Sequence, residues 1–215
     1  MRFLITAGPT REPIDPVRYI SNRSSGKMGY AIAEAAIEVD HEVVLVTGPV
    51  DLDPPSDAEL ISVSTSDEMF DAVHKQIGNC DVLVMSAAVA DYKPATVSKQ
   101  KIKKSEAETS LELHPTRDIL ASLAKHDRKF LVVGFAAETE NMETNALKKL
   151  REKNCDIIVA NDARKAIESD DNEVTILFRD GEKTKISRAS KKIIARELIK
   201  ILENVCEKRL TKKIT

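Results

Sequence analysis

The feature that most constrains this chain is a set of short apolar runs that do not alternate with polar residues, at residues 2–6, 42–47, 81–86, 130–134 and 156–160. A strand with one wet face alternates, so continuous β-branched runs of this length fit parallel strands covered on both faces. Segments with helical spacing fall between and after them, at residues 27–39, 67–77, 118–125 and 142–153. Strand and helix in alternation predict an α/β fold, a Rossmann-like, doubly wound and mainly parallel sheet with right-handed crossovers. After residue 163 the pattern changes. Residues 173–178 and 183–187, separated by Arg179-Asp-Gly-Glu, read as a small hairpin, and residues 191–207 as an amphipathic closing helix. The expected organisation is one domain over residues 1–207 and a frayed basic tail over 208–215.

Two long connections break the rhythm. Residues 8–26 are rich in Pro, Arg and Ser, and residues 89–110 are polar and lysine-rich with little helix or strand pattern. Both follow the carboxyl end of an expected strand, which is where open α/β sheets bind ligands.

Composition removes several functions. Across 215 residues, 33 Lys and Arg nearly cancel 35 Asp and Glu for a net charge of −2, so nucleic-acid binding by bulk charge is disfavoured. No Trp, three Tyr and five Phe leave little aromatic surface for stacking on bases. Cys80, Cys155 and Cys206 form no C-x-x-C pair, which argues against zinc and a disulfide framework and for a reducing compartment. Residues 1–7 are too short an apolar stretch for a signal, and no 18-residue apolar run occurs, so a soluble cytoplasmic protein without membrane contact is expected.

Three constellations can carry chemistry. The first is Thr6-Ala-Gly-Pro-Thr-Arg with Ser21-Asn-Arg-Ser-Ser-Gly-Lys-Met-Gly at the head of the first helix. Its small residues admit a ligand to the backbone and its helix start offers N–H groups to an anion, although Ser24 or Ser25 can equally be a plain cap and Gly26 and Gly29 plain packing. The second is Met85-Ser-Ala-Ala-Val-Ala-Asp-Tyr followed by Lys99, Lys101, Lys103 and Lys104, where a small-residue floor suits a flat base and the lysines suit a triphosphate; a solvated basic loop is the alternative. The third is Lys149 and Lys153, one helical turn apart, with Phe135 upstream at the end of a strand.

A nicotinamide-dependent reductase fits these residues less well. The strand at 42–47 ends in Val-Thr-Gly without a ribose-binding acid, and Tyr19, Tyr30 and Tyr92 are followed four residues later by Arg23, Glu34 and Thr96 rather than lysine. A non-catalytic nucleotide-binding regulator is the other alternative. His41, His74, His114 and His126 share no motif, and no G-x-S-x-G, H-E-x-x-H or Walker A sequence is present.

The run from Thr6 to Gly29, then Ala87-Ala-Val-Ala-Asp-Tyr, Lys101-Ile-Lys-Lys, Gly134-Phe-Ala-Ala-Glu-Thr and Val159-Ala-Asn-Asp together resemble the phosphopantothenoylcysteine synthetase family of coenzyme A biosynthesis, over nearly the whole chain. The resemblance implies a ligase that joins 4'-phosphopantothenate to L-cysteine. In the bacterial branch CTP converts the carboxylate to an acyl-cytidylate with release of pyrophosphate, in the presence of Mg2+, and cysteine displaces CMP. The metal ligands stay unassigned. In many bacteria the module is the C-terminal half of a bifunctional protein with a flavin-dependent decarboxylase, so FMN is not expected in this chain and a separate decarboxylase chain is a possible partner. Family members are homodimers in which the lysine-rich loop lies close to the partner subunit.

Carried onto this sequence, the resemblance makes Lys101 the lysine that assists cytidylate formation, and Asn22 the asparagine that binds the acyl-cytidylate, where an amide N–H can reach the carbonyl oxygen. It places Met85, Ser86, Ala87, Asp91, Lys101, Arg117, Asp118, Ile119, Leu120, Phe135, Lys149 and Lys153 at the nucleotide, and Gly8, Arg18, Asn22, Ser24, Ser25, Gly26 and Ala88 at the substrate. Thr116-Arg-Asp118 stands where the family often has Asn-Pro-Asp, so backbone contacts transfer there better than side-chain ones.

Overall fold

The structure is a computed structural model that describes residues 1–104, 108–124, 128–166 and 169–211. In chain order the elements are β1 (Arg2–Ala7), β2 (Arg11–Pro13), β3 (Tyr19–Ser21), α1 (Lys27–Ile37), β4 (Glu42–Thr47), β5 (Ala58–Ser62), α2 (Ser66–Gln76), β6 (Val82–Met85), β7 (Tyr92–Pro94) and β8 (Leu113–Pro115). They continue with α3 (Ile119–Leu123), β9 (Leu131–Glu138), α4 (Met142–Glu152), β10 (Ile157–Asp162), α5 (Ala163–Ala166), β11 (Asp171–Phe178), β12 (Lys183–Ser190) and α6 (Lys191–Thr211).

Eight strands form one sheet in the order β12-β11-β10-β9-β6-β1-β4-β5. The six strands β5, β4, β1, β6, β9 and β10 are parallel; β11 adds antiparallel to β10, and β12 antiparallel to β11. Alternate residues of the buried strands face opposite helical layers. Phe3, Ile5, Leu45, Val84 and Val133 pack with α1 and α6, the latter through Ile194, Leu198 and Leu202. Leu4, Val44, Leu83, Val132 and Ile158 pack with α2, α3 and α4 on the other face, through Met69, Leu120 and Leu150. Both faces are thus dry, which is why these strands read as continuous apolar runs. Thr65 opens α2 with a capping box to Glu68, satisfying donors at both ends of that exchange.

From β1 the chain winds outward through β4 to β5, then returns along α2 to β6 on the opposite side of β1. The carboxyl ends of β1 and β6 therefore mark the switch point, where ligands bind in open sheets. Backbone bonds extend this pair beyond the strands: the Ala88 N–H donates to the Gly8 carbonyl oxygen at 2.9 Å, and the Thr10 N–H to that of Ala88 at 3.3 Å.

Several expectations need correction. The two connections are not structureless, since β2 pairs with β3 and β7 with β8. β5 was absent from the sequence reading because Ala-Glu-Leu-Ile-Ser is a mixed edge strand with little continuous apolar character. The closing helix runs through Lys208 and Arg209 to Thr211, past the residue 207 at which fraying was expected. The third expected helix ends at Leu123, and its last position, Lys125, lies outside the described residues.

Candidate active site

A cleft of about 840 Å3 opens over the switch point, within the range of small-molecule sites. It is lined from the β1–α1 connection, from the end of β6, from residues 115–120, and from β9, α4, β10, β11 and the start of α6. Of the residues expected at the nucleotide, Met85, Ser86, Ala87, Asp91, Arg117, Asp118, Ile119, Leu120, Phe135, Lys149 and Lys153 all line it. Asn22, Ser24, Ser25, Gly26 and Ala88 line it from the expected substrate side. Lys101, Arg18 and Gly8 do not.

The start of α1 is built for close approach. Gly26 takes φ +76° as the N-cap residue with no side-chain cap, so the plain capping alternative for Ser24 and Ser25 does not hold. A Cβ on Gly26 would lie 2.7 Å from Val50 Cγ1, and one on Gly29 only 2.6 Å from Ala7 Cβ. The helix thus sits directly on the end of β1 with its first turn at the cleft wall. Ser24 Oγ accepts instead from the Gly26 N–H at 3.3 Å.

On the opposite sheet face, Asp118 caps α3 by accepting from the Ala121 N–H at 2.8 Å and ion-pairs with Lys153 at 2.5 Å. Burial raises its carboxyl pKa, but Lys153, the Ala121 N–H and Lys149 outweigh it and leave the group below its ordinary value. Lys149 Nζ donates to the Phe135 carbonyl oxygen at 2.7 Å, so the two lysines of α4 stand at one wall of the cleft, Lys153 paired with a carboxylate and Lys149 with a neutral carbonyl. The Arg117 guanidinium is turned to Asp67 and Asp71, each at 2.9 Å, and lies 4.0 Å over the Phe70 ring. Its contribution to the cleft is therefore backbone and stem.

Asn22 donates from Nδ2 to the carbonyl oxygens of Ala88 at 3.0 Å and Val89 at 3.2 Å. Both amide hydrogens are directed at the β6–β7 wall, where the sequence reading had one reaching a ligand carbonyl; Oδ1 is the atom this leaves to a ligand. Gly8, buried with φ +73°, acts through its carbonyl oxygen on that same wall.

Lys101 is exposed and lies off the cleft. Its neighbour is anchored: the Ile102 N–H donates to Asp15 Oδ2 at 3.1 Å, and Arg18 Nη2 donates to the Ile102 carbonyl oxygen at 2.7 Å. Arg18 thus holds the lysine-rich loop rather than lining the cleft. Lys27, Asn161, Asn172 and Lys191 also line the cleft; the first two fall inside motifs singled out in the sequence but were given no role, and the last two were not singled out. The signal for Asn161 was its position directly after the apolar run of β10; Asn172 and Lys191 arrive only through the antiparallel addition of β11 and β12.

Burial pushes the thiol of Cys80 up to about 12 and that of Cys155 to about 11, so both stay protonated and unreactive. Among the described residues no group of three or more His, Cys, Asp or Glu can hold a metal ion, and no helix is long and apolar enough to cross a membrane.

Residues 1–205 match the family model for the DNA/pantothenate metabolism flavoprotein C-terminal domain. The coenzyme A biosynthesis bifunctional protein CoaBC of Bacillus subtilis (strain 168) is 46% identical over 200 residues, covering 91% of this chain and 49% of that protein. The chain thus spans about half the length of that curated relative. A crystal structure of the C-terminal domain of a CoaBC superposes with a TM-score of 0.84 at 46% identity, covering 96% of each chain. A mutant of Cab2, solved in complex with phosphopantothenate-cysteine, shares the fold at a TM-score of 0.84 and 16% identity, covering 100% of this chain and 89% of that one. With an 8-stranded, mostly parallel sheet and a cleft at its switch point, the chain belongs to the DNA/pantothenate metabolism flavoprotein C-terminal domain family.

Proposed function

We propose that this chain is a phosphopantothenate–cysteine ligase that uses CTP. The observation that carries the reading is the cleft at the β1/β6 switch point, which gathers a small-residue floor, two lysines on α4 and the start of α1, whose N-cap residue has no side-chain cap. A carboxylate is a poor electrophile, and joining it to a nucleotide phosphate supplies the leaving group. The substrate carboxylate oxygen attacks the α-phosphorus and pyrophosphate leaves; the cysteine amine then attacks the acyl carbon, CMP leaves with the bonding pair, and the amine loses a proton. The protein's part is to hold two anions together and offset the charge that develops at phosphorus and then at carbon.

In this scheme Lys149 and Lys153 exchange the Phe135 carbonyl and Asp118 for triphosphate oxygens, while Met85 to Ala87 and Phe135 frame the base. Asn22 faces the reacting carbonyl from the end of the β1–α1 connection, and the peptide groups of Ser24 to Gly26 lie along the acyl chain. A Mg2+ ion carried on the triphosphate suits the chemistry of the set, because magnesium is commonly held by one or two carboxylates plus phosphates and Asp91 offers a carboxylate at the wall; the ion would neutralise charge on the departing pyrophosphate.

A homodimer belongs to the same proposal. Exposed apolar side chains concentrate on the two small hairpins and the lysine loop, at Val17, Tyr19, Tyr92, Val97, Ile102 and Leu113. Exposed apolar side chains that lie together form an interaction surface. A second copy seated there brings Lys101, off the cleft of its own chain, to the cleft of its partner or closes it over its own. The proposal places the chain in the cytoplasm, with any decarboxylase on a separate segment or chain.

Incubation with CTP, 4'-phosphopantothenate and L-cysteine tests the reading. Pyrophosphate release that requires CTP and phosphopantothenate, with amide formation only after cysteine is added, supports it. CTP binding without turnover, or equal rates with ATP, overturns the ligase or its nucleotide choice respectively.

A further inference from the structure

Arg117 lines the cleft, but its guanidinium is held by α2. Nε donates to Asp67 Oδ1 at 2.9 Å, and Nη2 donates to the Asp67 carbonyl oxygen at 3.0 Å and pairs with Asp71 Oδ1 at 2.9 Å. Asp67 and Asp71 are one turn apart on α2, and Phe70 of the same turn lies under the guanidinium. The second Asp67 oxygen, Oδ2, accepts from Lys93 Nζ on β7, so one carboxylate joins the 115–120 wall to that strand. The Lys93 hydrogen bond, opposed by burial and helped by Arg117, holds this carboxyl below its ordinary value, so it stays charged. The head of α2 is fixed in turn from the β1–α1 connection: the Ser66 N–H donates to the buried Glu12 Oε1 at 2.8 Å, and the Arg11 N–H to the Ser64 carbonyl oxygen at 2.7 Å. On the other side of Arg117, Thr116 donates from N–H to the Asp91 carbonyl oxygen at 2.9 Å and from Oγ1 to that of Ala90 at 2.6 Å. Residues 116–118 are thus held between the β6–β7 wall and α2, and the last of them, Asp118, caps α3 and pairs with Lys153.

The geometry points to Asp67 as a positioning residue for the nucleotide: by gripping Arg117 from α2 it fixes the backbone of residues 116–118, and with it the placement of Asp118 and the start of α3 beside Lys153. Naming the ligand a nucleotide rests on the ligase reading; the clamp between Asp67 and Arg117 does not. Past β8 this segment has no strand partner, and a connection of that kind is mobile unless side chains tie it down. When triphosphate oxygens take Lys153 from Asp118, Asp118 is left as the cap of α3 without its ion pair, and the grip on Arg117 keeps the wall in place. The clamp touches no reacting atom, so it acts on nucleotide affinity and leaves the chemical step alone.

Calorimetric binding of CTP and of 4'-phosphopantothenate to the wild type, Asp67→Asn, Arg117→Met and the double variant tests this, together with steady-state kinetics of Asp67→Asn. Each single variant is expected to weaken CTP about tenfold, the scale of a lost hydrogen bond between charged groups, with phosphopantothenate affinity unchanged. In Asp67→Asn the KM for CTP should rise with kcat at saturating CTP unchanged, a split that a general loosening of the fold does not give. The double variant should lose less than the product of the two single losses, because both changes break the same contact. Thermal unfolding checks folding, and Arg117→Met keeps an apolar stem over Phe70. Unchanged CTP affinity in either single variant, losses that multiply in the double variant, or equal losses for CTP and phosphopantothenate overturns the clamp. Clamp-dependent CTP binding in a protein that makes no amide from the three substrates leaves the clamp standing and overturns the ligase reading instead.

Discussion

The Arg18 guanidinium grips the Asp15 carboxylate through Nε at 3.0 Å and Nη2 at 2.5 Å, and the same Nη2 reaches the Ile102 carbonyl oxygen at 2.7 Å. Asp15, whose side chain is fully enclosed, also accepts from the Val17, Arg18 and Ile102 N–H groups. Two segments 84 residues apart are thereby tied together, and the tie sits one residue from Lys101. Asp15→Asn removes the charge at the centre of this knot, so cytidylate formation in single turnover should slow, as is expected of a Lys101 variant, while nucleotide binding at the α4 wall should survive. Wild-type kinetics in this variant would mean that the loop needs no anchor.

The same knot carries a pH prediction. Hydrogen bonding from Arg18 holds the Asp15 carboxyl well below the ordinary carboxylate range. A carboxyl lowered in the folded state contributes stability that is full above its unfolded pKa, about 3.9, and is lost as pH falls through the folded value. The loop anchor should therefore be constant from about pH 5 to 8 and loosen only in strong acid, which hydrogen exchange at the Ile102 amide can follow. Loss of protection at Ile102 between pH 6 and 5 would contradict it.

Lys101→Gln should slow acyl-cytidylate formation by about 2–4 kcal/mol in barrier, the usual cost of losing one charge-stabilising contact. A wild-type rate would reduce Lys101 to part of a solvated loop.

Asn22→Asp is nearly isosteric, yet it sets a carboxylate against the Ala88 and Val89 carbonyl oxygens that now receive its N–H groups. The second half-reaction should fail while the first survives in part, so bound acyl-cytidylate accumulates and cysteine clears it slowly. Mass spectrometry of the mixture before and after cysteine is the check; clearance at the wild-type rate would leave Asn22 as turn chemistry.

Gly29→Ala should lower stability by about 1–3 kcal/mol, the cost of overpacking, because its Cβ would fall 2.6 Å from Ala7 Cβ and 3.1 Å from Ala7 Cα, on a strand that cannot retreat. Thermal melting reads it directly. An unchanged Tm would show that α1 can lift off β1.

How much of this was legible follows from what each residue packs against. β1, β4, β6, β9 and β10 are dry on both faces and announce themselves as apolar runs, whereas Asn22, Met85 and Ala88 were placed at the site by the family motifs that contain them. β2, β3, β7 and β8 are three residues each, with partly exposed side chains, so no periodicity can form. Lys191 reads as an ordinary polar helix residue until β11 turns the chain back across β10 and sets α6 beside α1. Lys101 was legible as a charged loop residue, but its distance from the cleft of its own chain depends on the Asp15 knot, a tertiary contact with no local signature.

The central claim is that the carboxylate is activated as an acyl-cytidylate, and one isotope measurement tests it most directly. Phosphopantothenate labelled with 18O in its carboxylate is incubated with CTP, L-cysteine and the protein, and the CMP formed is analysed by mass spectrometry. Attack of the carboxylate on the α-phosphorus followed by displacement at the acyl carbon leaves one carboxylate oxygen on phosphorus, so the account predicts one 18O in each CMP, matched by one pyrophosphate and one amide. Unlabelled CMP, or CDP with inorganic phosphate carrying the label, would contradict it.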